Sequence, residues 1–288
     1  MTSQPTAVIH DIGYRHYDGP RLGRASATVA LAVQSLRGVF GLGRPARAKI
    51  MPLLLTAIMF LPAVVLIGAM ALAAQKLGNY TNYAIWMQAV IAVFLAAQSP
   101  YLVAPDLRFK VLPLYLSRPV SVVDYVVAKL AALSVALFLL LAVPLTVVYV
   151  GELLVDLPGP PRTSAYVAAM VGAVVYALLF SSLGIALASF TPRRGLGVAT
   201  VIAFYMFTAG VSTVFYGVLL SVGHEAAARW ALLANPFFLV DAVQVALFGV
   251  DPSNGDGYPP GPWPCFIVVA VIAVAVTGIL LRYRKAAS

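Results

Sequence analysis

Six long apolar segments without any ionisable side chain constrain this 288-residue chain more than any other feature. They cover residues 50–74, 84–104, 130–150, 164–190, 196–222 and 265–281, and none contains Asp, Glu, Lys, Arg or His. About 20 helical residues cross the hydrocarbon core of a bilayer, and lipid offers the peptide backbone no hydrogen bonds. The sequence therefore predicts an all-α integral membrane protein, with a cytoplasmic leader at residues 1–49 and six transmembrane helices within residues 50–288.

The composition excludes a water-soluble protein. Hydrophobic residues make up 61% of the chain and charged residues only 10%, against about 25% charged residues in ordinary soluble domains. The mean hydropathy of +0.93 over the whole length cannot come from one buried core. The single cysteine, Cys265, excludes an internal disulfide framework and a metal site built from cysteines.

The positive charges of the connections predict that both termini lie in the cytoplasm. With the amino terminus inside, 16 of the 19 Lys and Arg residues fall on the inner side, and only Lys76, Arg162 and Arg229 fall outside. Six of the ten acidic residues fall outside. The net charge of +9 could also suggest a nucleic-acid partner. Because the charges are distributed as topology signals, however, no nucleic acid is expected.

Two connections are predicted to carry helices at the membrane surface. In the leader, apolar residues recur near helical spacing over 25–40 between flanking arginines, which favours an interfacial elbow helix on the inner leaflet. The alternative is a basic linker that only sets the topology. In the outer loop 223–264, residues 225–248 are apolar but interrupted by Asn235 and Pro236. This pattern predicts one or two short helices that dip into the outer leaflet, followed by a Pro/Gly-rich loop.

The groups that membrane-embedded chemistry needs are missing from the six segments. Proton- and sodium-coupled carriers and intramembrane proteases use ionisable side chains at mid-membrane depth, and none is present there. No phosphate-binding loop motif occurs either. We therefore expect a membrane protein whose energy is supplied by another subunit. The alternatives are a non-catalytic scaffold subunit and a membrane-embedded enzyme, although no metal-ligand pattern surrounds Asp106 and Asp124.

The cytoplasmic connection between the second and third segments, the coupling loop 105–129, is the most informative stretch outside the membrane. Pro105 and Asp106 are predicted to open a short coupling helix that exposes Arg108 and Lys110. Residues 121–124, Ser-Val-Val-Asp, have capping-box spacing directly before the third segment. Such a rigid, partly apolar projection suits docking by a cytosolic partner. The alternative is an ordinary connection whose basic residues only fix the orientation.

The same loop resembles the loop signature of ABC type-2 transporter permeases. An acidic residue, a Leu-Ser-x-Pro sequence, a small polar cap, an aromatic residue and a lysine follow in the order of the family; here they are Asp106, residues 116–119, Ser121, Tyr125 and Lys129. The chain departs from the family at Val122, where a basic residue is frequent, and at Ala128, where glycine is frequent. Residues 233–237, Leu-Ala-Asn-Pro-Phe, are similar to the outer helix that precedes the last span of the family.

The resemblance implies the transmembrane permease subunit of an ATP-driven exporter in a bacterial-type cell membrane. Two such subunits, identical or paralogous, would form the pathway among membrane lipids, and a separate ABC ATPase subunit beneath each would bind ATP and Mg²⁺. The chain itself would then carry no catalytic residue, metal or cofactor. The residues expected to couple the chain to the ATPase are Asp106, Arg108, Lys110, Leu112, Ser117, Pro119, Ser121, Asp124 and Lys129.

In this family the second and fifth spans line most of the pathway. The polar and aromatic side chains of those spans are therefore the pathway candidates, namely Gln88, Gln98, Ser99, Phe204, Tyr205, Phe207, Thr208, Ser212, Thr213 and Tyr216. An aromatic, weakly polar lining suits an amphipathic or hydrophobic cargo better than a bare ion. The alternative is that these aromatic residues pack helix against helix or lie at the membrane interface.

Overall fold

The computed structural model describes residues 13, 19, 22–117, 119–155, 157–191 and 193–287. Within these residues every regular element is a helix, and six helices are long and apolar enough to cross a membrane. The prediction of an all-helical fold with six helices able to span a membrane is therefore confirmed, and a multi-pass membrane protein is compatible with it.

The six long helices contain all or nearly all of each predicted apolar segment. They are α2 (Arg47–Ala73), α4 (Gln88–Arg108), α6 (Val122–Leu154), α7 (Thr163–Phe190), α8 (Arg194–Ser221) and α11 (Trp263–Ala287). The shorter elements are α1 (Arg24–Val39), a 3₁₀ turn (Tyr80–Asn82), α3 (Tyr83–Trp86), α5 (Leu112–Leu116), α9 (Glu225–Leu232) and α10 (Pro236–Phe248).

Helix α6 extends well beyond the apolar segment 130–150 that predicted it. Its amino terminus carries the predicted capping box: the Ser121 Oγ accepts from the N–H of Asp124 at 3.2 Å, and the N–H of Ser121 donates to Asp124 Oδ2 at 2.8 Å. Each side chain satisfies a backbone N–H that the first helical turn leaves without a partner. The end turns of α6 consequently include three ionisable residues, Asp124, Lys129 and Glu152.

Three helices form the centre of the bundle and three lie at its periphery. In the apolar windows of α4, α6 and α7, 56% to 61% of the residues are buried, against 17% to 22% in α2, α8 and α11. Helices α6 and α7 pack along each other, α4 contacts α7 and α8, α2 contacts α6, and α11 contacts α7. The peripheral helices therefore present apolar faces that the other described residues leave uncovered, as is typical of surfaces that contact lipid or another protein chain.

The outer connection contains two short helices, as predicted for residues 225–248. Asn235 Oδ1 accepts a hydrogen bond from the N–H of Phe237 at 3.0 Å, and Pro236 occupies the first position of α10. These are strong helix-start signals, so a new helix begins here. Helices α9 and α10 meet at an angle of 110°. By length and hydropathy, the described residues contain six helices able to cross a membrane, or seven candidate spans if this bent pair counts as one.

The leader contains a helix where the spacing of apolar residues predicts one. Helix α1 packs on α4 and α6. Its carboxyl-terminal end approaches α4 closely, because a Cβ at Gly38 would lie 2.7 Å from the hydroxyl oxygen of Tyr101. Val29 and Val33 are exposed on the opposite side. The position of α1 at a membrane surface stays a prediction.

The prediction that Asp106 opens a separate helix is wrong. Helix α4 continues through Pro105 and Asp106 to Arg108, and the chain then turns at Lys110, which has a φ of +53°. The Asp106 carboxylate binds Lys129 across the loop, so it does not cap the start of a helix. The short helix of this connection is α5, which begins six residues later than the predicted start.

Candidate functional site

A buried ion pair holds the base of the coupling loop together. Lys129 Nζ lies 3.2 Å from Asp106 Oδ2, and the two side chains are 9% and 13% exposed. The hydroxyl of the fully buried Tyr125 donates to the same carboxylate oxygen. Burying a charge is costly unless it is paired and hydrogen-bonded. The pair therefore joins the last turn of α4 to the second turn of α6 in one defined arrangement.

Aromatic rings attach two further helices to this ion pair. The ring of Tyr125 lies 5.5 Å from the ring of Tyr115 on α5 and 5.2 Å from the ring of Tyr283 on α11. The ammonium group of Lys129 lies 5.3 Å from the centre of the Tyr125 ring. Burial, together with the negative charge of Asp106, raises the pKa of Tyr115, so that its phenol stays neutral. Four helices thus meet around one carboxylate.

A second ionic contact ties the leader to the start of α6. The Arg24 guanidinium donates from Nε to Asp124 Oδ2 at 2.6 Å and from Nη2 to Asp124 Oδ1 at 3.0 Å. It also donates to Ser121 Oγ at 2.9 Å. A bidentate arginine–carboxylate pair fixes direction as well as distance. The first residue of α1 is therefore held on the capping box of α6, 100 residues further along the chain.

The predicted coupling residues divide into a group inside the protein and a group at the surface. Leu112 and Lys129 are buried, and Asp106, Ser121 and Asp124 are partly buried. Arg108, Lys110, Ser117 and Pro119 are exposed. The first group contacts other parts of the chain and shapes the loop, and the second group forms its exposed surface.

Sequence reasoning missed several residues of this region. Phe109 and Leu114 are 67% and 69% exposed and add apolar surface beside the exposed cations. No periodicity marks Leu114, because residues 111–116 are apolar throughout apart from Tyr115, and Phe109 is a single apolar residue between two cations. Arg24 and Tyr283 were also missed, since each reaches the loop from a distant part of the chain.

The pathway candidates line neither of the two large apolar cavities formed by the described residues. Gln98, Ser99, Tyr205 and Ser212 are buried between helices, while Gln88, Phe204, Thr208 and Tyr216 are partly buried, and Phe207 and Thr213 are exposed on α8. Helices α4 and α8 pack against each other, and helices α7 and α9 also contact buried candidates. Two apolar cavities of about 510 and 480 Å³ lie elsewhere, between α2 and α6 and between α7 and α11.

Two of the buried candidates leave polar atoms without a partner. Within the described part of the chain, neither the Ser99 Oγ nor the Tyr205 hydroxyl has a hydrogen-bond partner. The ring of Tyr205 stacks on the ring of Phe180 at 5.3 Å, which is the helix-to-helix packing of the alternative interpretation. The Ser212 hydroxyl donates to the carbonyl of Leu232 at 3.3 Å. A role of these residues in transport stays a prediction.

The opposite end of the bundle carries a buried carboxylate in a polar network. Glu152 is 3% exposed and accepts hydrogen bonds from the Arg162 guanidinium at 2.9 Å and from the Tyr80 hydroxyl at 2.5 Å. Burial and the Glu152 carboxylate both raise the pKa of Tyr80. Arg162 also donates to the carbonyl of Gly78 at 2.6 Å. The network therefore joins the α2–α4 connection to the α6–α7 connection.

A third carboxylate, Asp241 on α10, is fully buried and holds the outer loop. Its Oδ2 accepts three hydrogen bonds, from the N–H and the hydroxyl of Ser253 and from the hydroxyl of Tyr258. Its Oδ1 has no hydrogen-bond partner. These bonds fasten the Pro/Gly-rich loop onto the bent helix pair. The sequence did not indicate this, because the loop has no helical or strand periodicity.

Among the residues that the structure describes, no three His, Cys, Asp or Glu side chains come together as a metal site would require. In comparisons with known proteins, no protein-family model matches the chain and no curated protein matches it. The function must therefore be inferred from the residues and their geometry.

Proposed function

We propose that this chain is the transmembrane permease subunit of an ATP-driven ABC exporter. The coupling loop would dock a separate ABC ATPase subunit, which would bind ATP and Mg²⁺. Both termini would lie in the cytoplasm of a bacterial-type cell, and the bundle would carry an amphipathic or hydrophobic cargo across the cell membrane. The proposal rests on the resemblance of the loop to ABC type-2 permeases and on the physical features described above.

The observation that carries the proposal is the construction of the coupling loop. A device that transmits force needs a connection that moves as one body rather than bending locally. The Asp106–Lys129 pair and the Arg24–Asp124 contact tie this connection to α1, α4 and α6. Its outer surface nevertheless offers two cations, Arg108 and Lys110, beside exposed apolar side chains. A loop that is anchored rigidly and exposes both cations and apolar side chains is suited to docking a partner protein.

The peripheral face of α8 supports a second permease subunit. Only 17% of its apolar window is buried by the rest of the chain. Phe207 and Thr213, two of the pathway candidates, lie on the uncovered side. A pathway formed between two copies would place these residues in its wall. Purification from native membranes will show whether the second subunit is another copy of this chain or a paralogue.

The test is capture of the ATPase from native membranes. The tagged full-length chain, solubilised in mild detergent, is expected to retain an ABC ATPase, identified by mass spectrometry through its phosphate-binding loop. Hydrolysis of ATP by the captured complex in liposomes should rise when its amphipathic cargo is present. The purified chain alone should hydrolyse no ATP, because it has no phosphate-binding motif.

The matched variants reverse two charges each. Arg108→Glu/Lys110→Glu should weaken capture and make it more sensitive to salt, because charged contacts at docking surfaces govern association rate and specificity. Arg193→Glu/Arg194→Glu changes the same charge on the other predicted cytoplasmic loop and should retain the ATPase. If both variants capture the ATPase equally well, the basic residues of the coupling loop only fix the topology and do not dock the ATPase. Retention of other membrane proteins without any ATPase would favour the scaffold alternative.

A further inference from the structure

The corner between α1 and α2 is basic and has no acidic residue near it in sequence. No Asp or Glu occurs in residues 19–105, and four cations, Arg37, Arg44, Arg47 and Lys49, fall close together within this interval. We call these four residues the basic corner. In the part of the chain that the structure describes, none of the four forms an ion pair with a carboxylate. The positive charge is therefore not neutralised from within the described fold.

The turn between the two helices is compact, so the cations are held at one end of the bundle. Gly41 has a φ of +72°, and a Cβ at this position would lie 2.7 Å from the carbonyl oxygen of Ala48. The turn thus folds directly onto the first turn of α2. The Arg44 guanidinium lies 4.0 Å above the ring of Tyr101 on α4. Stacking orients the guanidinium plane while its N–H groups point outward from the edge of that plane.

The basic corner directly precedes, and in part forms, the polar end of α2. The apolar stretch of α2 begins directly after Lys49, and Leu42, Ile50 and Met51 are 50%, 62% and 44% exposed. The end of an apolar membrane helix meets the headgroup layer of the bilayer. Phosphate groups are the anions of that layer, and acyl chains lie next to them. Exposed apolar side chains beside the cations therefore match a lipid and not a nucleic acid or a soluble anion.

We propose that the basic corner binds the phosphate group of an anionic phospholipid, with Leu42, Ile50 and Met51 against its acyl chains. The binding selects anionic over zwitterionic lipid, because each cation adds attraction to a net negative headgroup. The proposal concerns the chain by itself and holds independently of any role in export. The activity of an exporter with this site would then depend on the content of anionic phospholipid in its membrane.

The test measures lipid preference of the purified full-length chain in phosphatidylcholine vesicles. Electron paramagnetic resonance compares the motionally restricted fraction of spin-labelled phosphatidylglycerol with that of spin-labelled phosphatidylcholine. The parent chain should prefer phosphatidylglycerol. The variant Arg44→Gln/Arg47→Gln/Lys49→Gln should lower this preference by about fivefold or more, as expected for the loss of surface cations.

The control removes the same charge from the same predicted side of the membrane. The variant Arg193→Gln/Arg194→Gln/Arg284→Gln should keep most of the preference. If both variants lose the preference for phosphatidylglycerol equally, the effect comes from general surface charge and the proposed site is wrong. A parent-like preference in the variant Arg44→Gln/Arg47→Gln/Lys49→Gln would also overturn the proposal. If the triple variant does not insert, the single variants Arg44→Gln and Arg47→Gln replace it. Each should lose part of the preference, and a parent-like result for both would overturn the proposal equally.

Discussion

The buried Asp106–Lys129 pair provides the sharpest test of the coupling-loop geometry. At 3.2 Å and an effective dielectric constant of about 20, two unit charges attract each other by about 5 kcal/mol before desolvation is considered. Removing one partner of a buried pair typically costs about 3–5 kcal/mol, because the other charge stays buried. Both side chains keep slight contact with solvent, and Tyr125 still donates to the carboxylate. We therefore expect Lys129→Met or Asp106→Asn to lower the free energy of unfolding by about 2–3 kcal/mol.

The double variant distinguishes a charge effect from a packing effect. Asp106→Asn/Lys129→Met leaves no unpaired charge, so it should cost about 1 kcal/mol or less; set against two single costs of about 2–3 kcal/mol each, this corresponds to a coupling energy of about 3 kcal/mol or more. The assay is reversible unfolding of the detergent-solubilised chain by sodium dodecyl sulfate, followed by circular dichroism. Lys76→Met serves as the control, since its ammonium group donates to the carbonyl of Pro160 and pairs with no carboxylate in the described residues. Additive costs of the two single substitutions would refute the reasoning.

Three further predictions concern other parts of the fold. Gly151→Ala should lower the free energy of unfolding by about 1–3 kcal/mol, because the new Cβ would lie 2.5 Å from a stiff isoleucine side chain on α2. The control is Gly68→Ala, whose new Cβ would have no atom within 4 Å, so it should not destabilise the chain in the same unfolding assay with sodium dodecyl sulfate. Asp241→Ala should speed maleimide labelling of an Asn254→Cys probe, since it releases the outer loop; an unchanged labelling rate would contradict the tether. In a Cys265→Ser background, the same probe should react with an impermeant maleimide only from outside, and labelling from the cytoplasm alone would reverse the proposed topology.

Much of the helical architecture follows from the sequence because it depends on local properties of the chain. A run of about 20 apolar residues has no soluble alternative, and its backbone must form a helix in lipid. The capping box at Ser121 and Asp124 lies within four residues, so its spacing alone predicts the start of α6. The helix interruption at Asn235 and Pro236 is equally local. These features were predicted, and the structure contains them.

The candidate site depended on contacts that no local pattern encodes. The sequence predicts that Asp106 begins a helix. The packing of α4 beside α6 instead brings its carboxylate to Lys129, with which it forms an ion pair. Arg24 meets Asp124 only because α1 lies against α6. In the sequence nothing marks Arg24 as the partner of Asp124 or Lys129 as the partner of Asp106.

The sequence by itself therefore determined that the chain is a helical membrane protein, where its long apolar helices lie and how α6 and α10 begin. The tertiary structure decided which polar side chains are buried, which of them pair and which face of each helix stays uncovered. The physical reason is the range of the forces involved. Partition into lipid and helix capping act within one segment, whereas a buried charge can be paired only by a residue that helix packing brings into contact.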